Sequence, residues 1–344
     1  MREKDRYLLD LDLHLFADPV MNATTSNATG NNLSPEMKDY YDRTLLENAK
    51  PKLVHDQFAQ KRPIPSNNGK TITFRRFDKL APSLTPLTEG VTPAGSKLNV
   101  TEIAATIKQY GAYYMLTDLL EMTAIDPIVQ EACKNLGDNA GETLDTITRE
   151  ELMTGTNVFF GDGTVTTRNA ITKDMKLTLD IVAQGKRILD RMDATKLEGD
   201  TYAIIIHPDT AYDIGKELEG VFKYTESGMK RLYQGEIGTY RGVRYIEASR
   251  AKIFPKAGAA ASEGGEKIDV YASLMVGRDA YGITSIDGGG IESIIKQKGS
   301  AGTADPLNQR STCGWKANRA VKILLPYNMV RIEHATSTNL GEAN

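Results

Sequence analysis

Four histidines and two cysteines are the side chains of this sequence best suited to ligate a metal or act as nucleophile and base, and their spacing serves neither purpose. His14, His55, His207 and His334 each stand alone, with no second His, Cys or paired carboxylate at metal-ligand spacing. Cys133 and Cys313 are far apart in the chain and carry no ligand pattern, so two reduced thiols are expected. His207 ends an apolar run and precedes Pro208, a place where enzymes put catalytic groups; a histidine satisfied at a strand end is the reading adopted. Glu142, Asp145, Glu150 and Glu151 fall on one long helical pattern, and Glu142 and Asp145 share a face, as carboxylates on any solvated helix do. Gly288-Gly289-Gly290 lacks the Lys-Ser/Thr of a phosphate loop and opens no helix, and Gly161-Asp162-Gly163 fits a turn. No Ser sits in a Gly-x-Ser-x-Gly elbow. The sequence therefore predicts no catalytic residue, no metal and no cofactor. Two small basic pairs remain. Arg75-Arg76 and Lys186-Arg187 are either solvated surface or contacts to phosphates or acidic neighbours.

The chemistry-poor side chains sit on a well-patterned α+β frame. The chain of 344 residues is 40% hydrophobic and 25% charged, which predicts a soluble product with a properly buried core. No stretch reaches the roughly 18–20 apolar residues that a membrane-spanning helix needs. A net charge of −3 argues against a protein that grips nucleic acid, yet allows one that encloses it. Residues 1–35 read as an extended arm, too polar around MNATTSNATGNN to order alone. Ser34-Pro35-Glu36 signals a helix start, with the helix running to about residue 48. A second short helical segment is expected at 53–59.

Residues 70–77 (KTITFRRF) alternate as a strand, and 105–116 form another strand-like run. The roughly 27 residues between them hold Pro82, Pro86, Pro93, Gly90 and Gly95, an irregular connection longer than compact domains usually carry. As a projecting hairpin with ten residues per arm it would reach roughly 33 Å. Asp126-Pro127 opens the longest helical pattern, with Ile128, Ala132, Leu136, Ala140, Leu144 and Ile147 on one stripe and Gly155 as its stop. About 28 residues predict a rod near 42 Å, with Gly137 and Gly141 as a weak middle or bend. A further helix is expected at 173–192. Tyr202 to His207 reads as a buried central strand, followed by a helix capped by Asp209 and running to Leu218. Strands are expected within 235–247, at 268–276, 281–286 and 291–296, and in two pieces within 315–333 split by Pro326.

This order of elements resembles the major capsid proteins of tailed bacteriophages, with the fold typified by the Hong Kong phage capsid. The opening LDLDLHLFA (residues 9–17) is similar to the LDLQLFA start of capsid proteins from phages of Gram-positive hosts, with a mild departure at His14. YAIIIHPD (202–209) and GEIGTYRGVR (235–244) resemble the axial-domain strand and strand-turn of the branch related to the podophage N-four major capsid protein. The resemblance implies an N-terminal arm and helix at 1–60, an extended hairpin loop at 61–116 and a peripheral domain with a spine helix at 117–199. An axial α/β domain at 200–312 and C-terminal strands at 313–344 returning to the peripheral domain would complete it. It further implies self-assembly into pentamers and hexamers of an icosahedral head that encloses double-stranded DNA without sequence-specific binding. Scaffolding, portal and decoration proteins are the implied partners, and the virion, assembled in the host cytoplasm, the implied location. Arg75, Arg76, Lys79 and Glu89 of the hairpin loop are the expected inter-subunit contacts. An encapsulin-like nanocompartment shell, which would enclose an enzyme cargo, shares the fold and is the alternative.

Overall fold

The computed structural model describes residues 43–45, 47–49, 52–63, 69–77, 80–87, 89–92, 95–123, 127–222, 235–260, 265–284, 290–300 and 305–338. The arm at 1–35 and its Ser34 cap lie outside the described residues. Two sheets and a hairpin carry the architecture. A five-stranded sheet runs β1 (Gln60–Lys61), β11 (Tyr281–Thr284), β13 (Arg310–Ile323), β12 (Glu292–Lys296), with β4 (Lys108–Thr117) also paired to β13. A seven-stranded sheet runs β5 (Val158–Phe160), β14 (Met329–His334), β10 (Val270–Val276), β6 (Tyr202–Ile206), β8 (Val243–Glu247), β7 (Glu236–Tyr240), with β9 (Ile253–Phe254) on β10. Among the described residues, β2 (Thr71–Phe77) and β3 (Val100–Thr106) pair only with each other.

The central strand is where its sequence puts it. Tyr202-Ala203-Ile204-Ile205-Ile206 has no polar alternate, and all five residues are buried because both faces are covered. Ala203 and Ile205 join the apolar cluster that reaches Phe58, Leu152 and Tyr281. Ile204 and Ile206 point the other way, into Ile181, Val182, Leu189 and Ile214 of the helices α3 (Leu179–Arg191) and α4 (Pro208–Phe222). Helix α3 begins six residues later than the sequence pattern suggested. Thr178 accepts a hydrogen bond from the Ile181 N–H and caps it, while Lys176 bridges to Ala335 beside the sheet. α4 begins at Pro208, with Asp209 in its first turn instead of at its cap.

The five-stranded sheet is roofed by α2 (Ile128–Leu152), whose Leu136, Ala140 and Leu144 pack on Cys313, Trp315 and Ala317 of β13. Its 25 residues give about 38 Å, slightly short of the expected rod. Pro127, one residue later than expected, holds the cap position and lends no side-chain hydrogen bond. Arg331 donates to the carbonyls of Met153 and Gly155 beyond the other end, where a cation complements the helix dipole. Gly137 and Gly141 do not break α2. A Cβ at either would stand 2.6 Å from a carbonyl oxygen, that of Leu45 or of Ala49, so the glycines let the helical residues 43–45 and 47–49 lie directly against it. The short helix expected at 53–59 is a turn, because His55 and Asp56 are tied by side-chain bonds to three different elements.

Segments expected in separate blocks share sheets. β11 and β12 flank β13 in the five-stranded sheet, while β14 completes the seven-stranded one between β5 and β10. Pro326 divides β13 from β14 through a short 3-10 turn, Pro326–Asn328.

Candidate assembly surface

Two kinds of feature compete for function: ionisable groups that are buried and apolar groups that are not. The buried ones prove to be structural. His55 and Asp145 form an ion-pair geometry at 2.7 Å, and Asp145 also accepts from the His55 backbone N–H. Both are about 1% exposed. Sequence spacing could not show this pair, because its members are 90 residues apart. Next to it, Asp56 accepts from Arg319 and from the Thr148 hydroxyl, and Tyr281 donates to the His55 carbonyl. Glu333, fully buried, accepts two bonds from Arg168 at 2.7 Å and one from Arg331 at 2.8 Å. The first set of links joins α2, β11 and β13 to the segment at 55–56, and the second joins β14 to Arg168.

His207 accepts the Asp209 N–H on its Nδ1, capping the first turn of α4, and burial depresses its basicity. It is the satisfied strand-end histidine that the sequence suggested. His334 is buried completely, donates from Nδ1 to the Ala335 carbonyl and accepts the Ser273 hydroxyl proton on Nε2. Its pKa is pushed down to about 4, first by desolvation. The folded state thus binds a proton less readily than the unfolded chain, whose histidine titrates near 6.5. Stability contributed by neutral His334 is complete above pH 6.5 and is lost as pH falls towards 4, by about 3 kcal/mol in total. Denaturant unfolding at pH 7 and pH 4.5 should show this loss, and His334→Gln should flatten the difference.

The exposed features lie on the hairpin. β2 and β3 pair in register from Thr71 opposite Thr106 to Phe77 opposite Val100. Seven residues per arm extend about 23 Å, shorter than the ten per arm expected, because β4 leaves the hairpin to pair along β13. Phe74, Ala105 and Ile107 root the hairpin against Ala320 and Leu324. Beyond that root, every described residue from 80 to 100 is exposed. Leu80, Leu84, Leu87, Val91 and Leu98 are among them, Leu84 at 88%. Isolated subunits rarely leave aliphatic side chains in water at this density. A second apolar group, Tyr113, Tyr114, Met115, Leu119, Leu120 and Met122, lies exposed on β4 and the following helix α1 (Asp118–Thr123).

Of the four loop residues singled out from the sequence, the three described ones are spread along the hairpin and its loop. Arg75 faces Glu102 across the hairpin at 3.6 Å, with both side chains largely solvated. Arg76 is half-buried on the same strand, Glu89 is exposed at a turn, and Lys79 lies outside the described residues. Attention to charge missed the aliphatic residues interleaved with the prolines. Their signal was in the sequence: leucines in a segment with no strand or helix period have no core to enter.

Among the described residues no group of His, Cys, Asp and Glu could hold a metal, and no helix is long and apolar enough to cross a membrane. The sequence matches the family described as phage capsid protein over residues 100–330, more than half of the chain. The chain belongs to that phage capsid protein family. No curated protein sequence matches it. The capsid of Ralstonia phage GP4 shares its fold, with a TM-score of 0.68 at 13% identity, covering 94% of this chain and 97% of that one. The cyanophage Pam1 capsid follows at 0.65 and 12%, covering 92% and 98%. The capsid of cyanophage P-SCSP1u gives 0.59 and 15%, covering 94% of each chain. The capsid protein is thus a structural shell component of a virion, and the fold persists where little of the sequence does. Its buried ion pairs lie within that fold, and the leucines between residues 80 and 98 stand exposed on the hairpin loop.

Proposed function

We propose that this capsid protein self-assembles as pentamers and hexamers into the icosahedral head of a tailed phage and encloses its packaged double-stranded DNA. The observation that carries the reading is the unpartnered aliphatic loop at 80–98, raised on a hairpin rooted in the five-stranded sheet. In this reading the hairpin is the extended loop, α2 with the five-stranded sheet is the peripheral part, and the seven-stranded sheet with α4 is the axial part. Arg75, Arg76, Lys79 and Glu89 add charged contacts around the apolar tip. Many modest contacts of this kind sum through multivalency, while each stays weak enough for misplaced subunits to leave. The small net negative charge suits a wall that does not hold the duplex it contains. Scaffolding, portal and decoration proteins are the proposed partners, and the host cytoplasm the place of assembly.

Negative-stain electron microscopy of the protein, produced with a scaffolding protein from the same genome, tests this. Closed shells that package linear double-stranded DNA when portal and terminase are added support it. Persistent small oligomers overturn it. Shells that instead retain a folded enzyme recognised by its tail favour the nanocompartment alternative.

A further inference from the structure

Cys133 and Cys313, 180 residues apart in the chain, place their sulfurs 2.9 Å from each other. Both side chains are 1% exposed and no disulfide joins them. Cys133 belongs to α2; Cys313 is on β13, where Tyr114 of β4 and Ile295 of β12 pair with it from either side. The contact therefore spans the seam between the long helix and the middle of the sheet beneath it, among Leu136, Ala140 and Trp315. We propose that this pair is an oxidation-dependent intramolecular cross-link, held reduced during assembly and closed to a disulfide after the particle leaves the cell. The timing rests on the shell reading; the pairing of the two thiols does not.

Several facts favour closure of this bond. A disulfide needs its sulfurs at about 2.05 Å, so they must approach by only about 0.9 Å. Neither backbone is free to swing away, since α2 lies against residues 45 and 48–49 through its glycines and β13 is paired on both edges. The chain has two cysteines in all, which leaves each with one possible partner within the subunit. The neighbouring thiol and burial raise the pKa of Cys313, keeping it protonated. Exchange with a bulky disulfide such as oxidised glutathione is then slow, because it needs both a thiolate and access. Peroxide also reacts with the thiolate, so oxidation waits on transient opening of the seam. A small two-electron oxidant of the peroxide class nevertheless needs far less room than glutathione. One thiol takes an oxygen atom from hydrogen peroxide, giving a sulfenic acid and water. The second thiol displaces hydroxide from that sulfur, its proton leaves with the hydroxide as a second water, and the S–S bond forms. Reducing cytoplasm keeps the pair open, whereas virion surfaces and extracellular media sustain disulfides.

The test compares full-length protein, assembled where shells form and soluble where they do not, after treatment with hydrogen peroxide or with dithiothreitol. Samples are quenched with N-ethylmaleimide in denaturant, digested without reductant and mapped by mass spectrometry. A peptide joining Cys133 to Cys313, in a chain that still runs as a monomer on a non-reducing gel, supports the proposal. The oxidised sample should also melt about 3–7 °C above the reduced one, a gain that dithiothreitol reverses. Cys133→Ser and Cys313→Ala proteins should show neither the joined peptide nor the shift; the wild-type comparison stands even if a variant folds poorly. Full labelling of both cysteines after peroxide, or oxidation to sulfinic acid without the joined peptide, overturns the cross-link. Because the soluble chain gives the same readout, failure of shell assembly and failure of the disulfide are told apart.

Discussion

Replacing Leu80, Leu84, Leu87 and Leu98 together by Ser should abolish shell formation and leave the melting temperature of the isolated subunit within a few degrees of wild type. All four are exposed and belong to none of the apolar clusters, so folding gains nothing from them. An interface would gain a great deal. Burying a leucine is worth about 1.5–3 kcal/mol, so four of them offer roughly 6–12 kcal/mol per subunit, and a third of that would still dominate one contact. The sum multiplies through a closed shell, where each subunit is held by several neighbours at once. Sedimentation velocity would report slow-sedimenting species only, and a thermal scan would report an intact fold. Normal yields of shells from the quadruple variant would show that the loop is not an assembly contact. Phe74→Ala at the hairpin root is the useful contrast. That ring is buried against Leu324 and Ile107, and its loss should cost about 3–5 kcal/mol of folding stability before any effect on assembly is reached.

What the sequence made legible follows from how local each signal is. The run at Tyr202–Ile206 and the stripe from Ile128 to Ile147 are periodic over their own residues, and both became the elements they predicted. Pro326 divided two strands because it can neither donate to a ladder nor continue one. The failures are non-local. Nothing near His55 in sequence announces Asp145, and nothing near Cys133 announces Cys313. Gly137 and Gly141 looked like weak points of a helix since their partner, the backbone of residues 45–49, is defined only by tertiary packing. The start of α3 was misplaced because Leu177, which fits the helical stripe, is buried in an extended approach to the Thr178 cap. The hairpin loop was half legible: its proline-rich length was visible, while its exposed leucines were passed over in favour of charges.

Asp56→Ala should destabilise the subunit by about 3–5 kcal/mol, the cost of stranding a buried charge, and lower the melting temperature by roughly 4–7 °C. The Asp56 carboxylate is 8% exposed and accepts from the Arg319 guanidinium and the Thr148 hydroxyl. Without it, Arg319 stays in a site where its Nε already lacks a hydrogen-bond partner among the described residues. The deficit belongs to the orphaned cation more than to the lost attraction, and a second substitution separates the two. Arg319→Met removes the charge while keeping most of the side chain's length, so the double variant Asp56→Ala/Arg319→Met should recover stability relative to Asp56→Ala alone. Chemical denaturation of the four proteins in the cycle gives the coupling directly. If the double variant is as unstable as the sum of the singles, the pair is independent and the deficit must come from the turn that Asp56 holds. If it recovers, α2 and β13 are held together there by charge satisfaction, about four helical turns along the same seam from the two thiols.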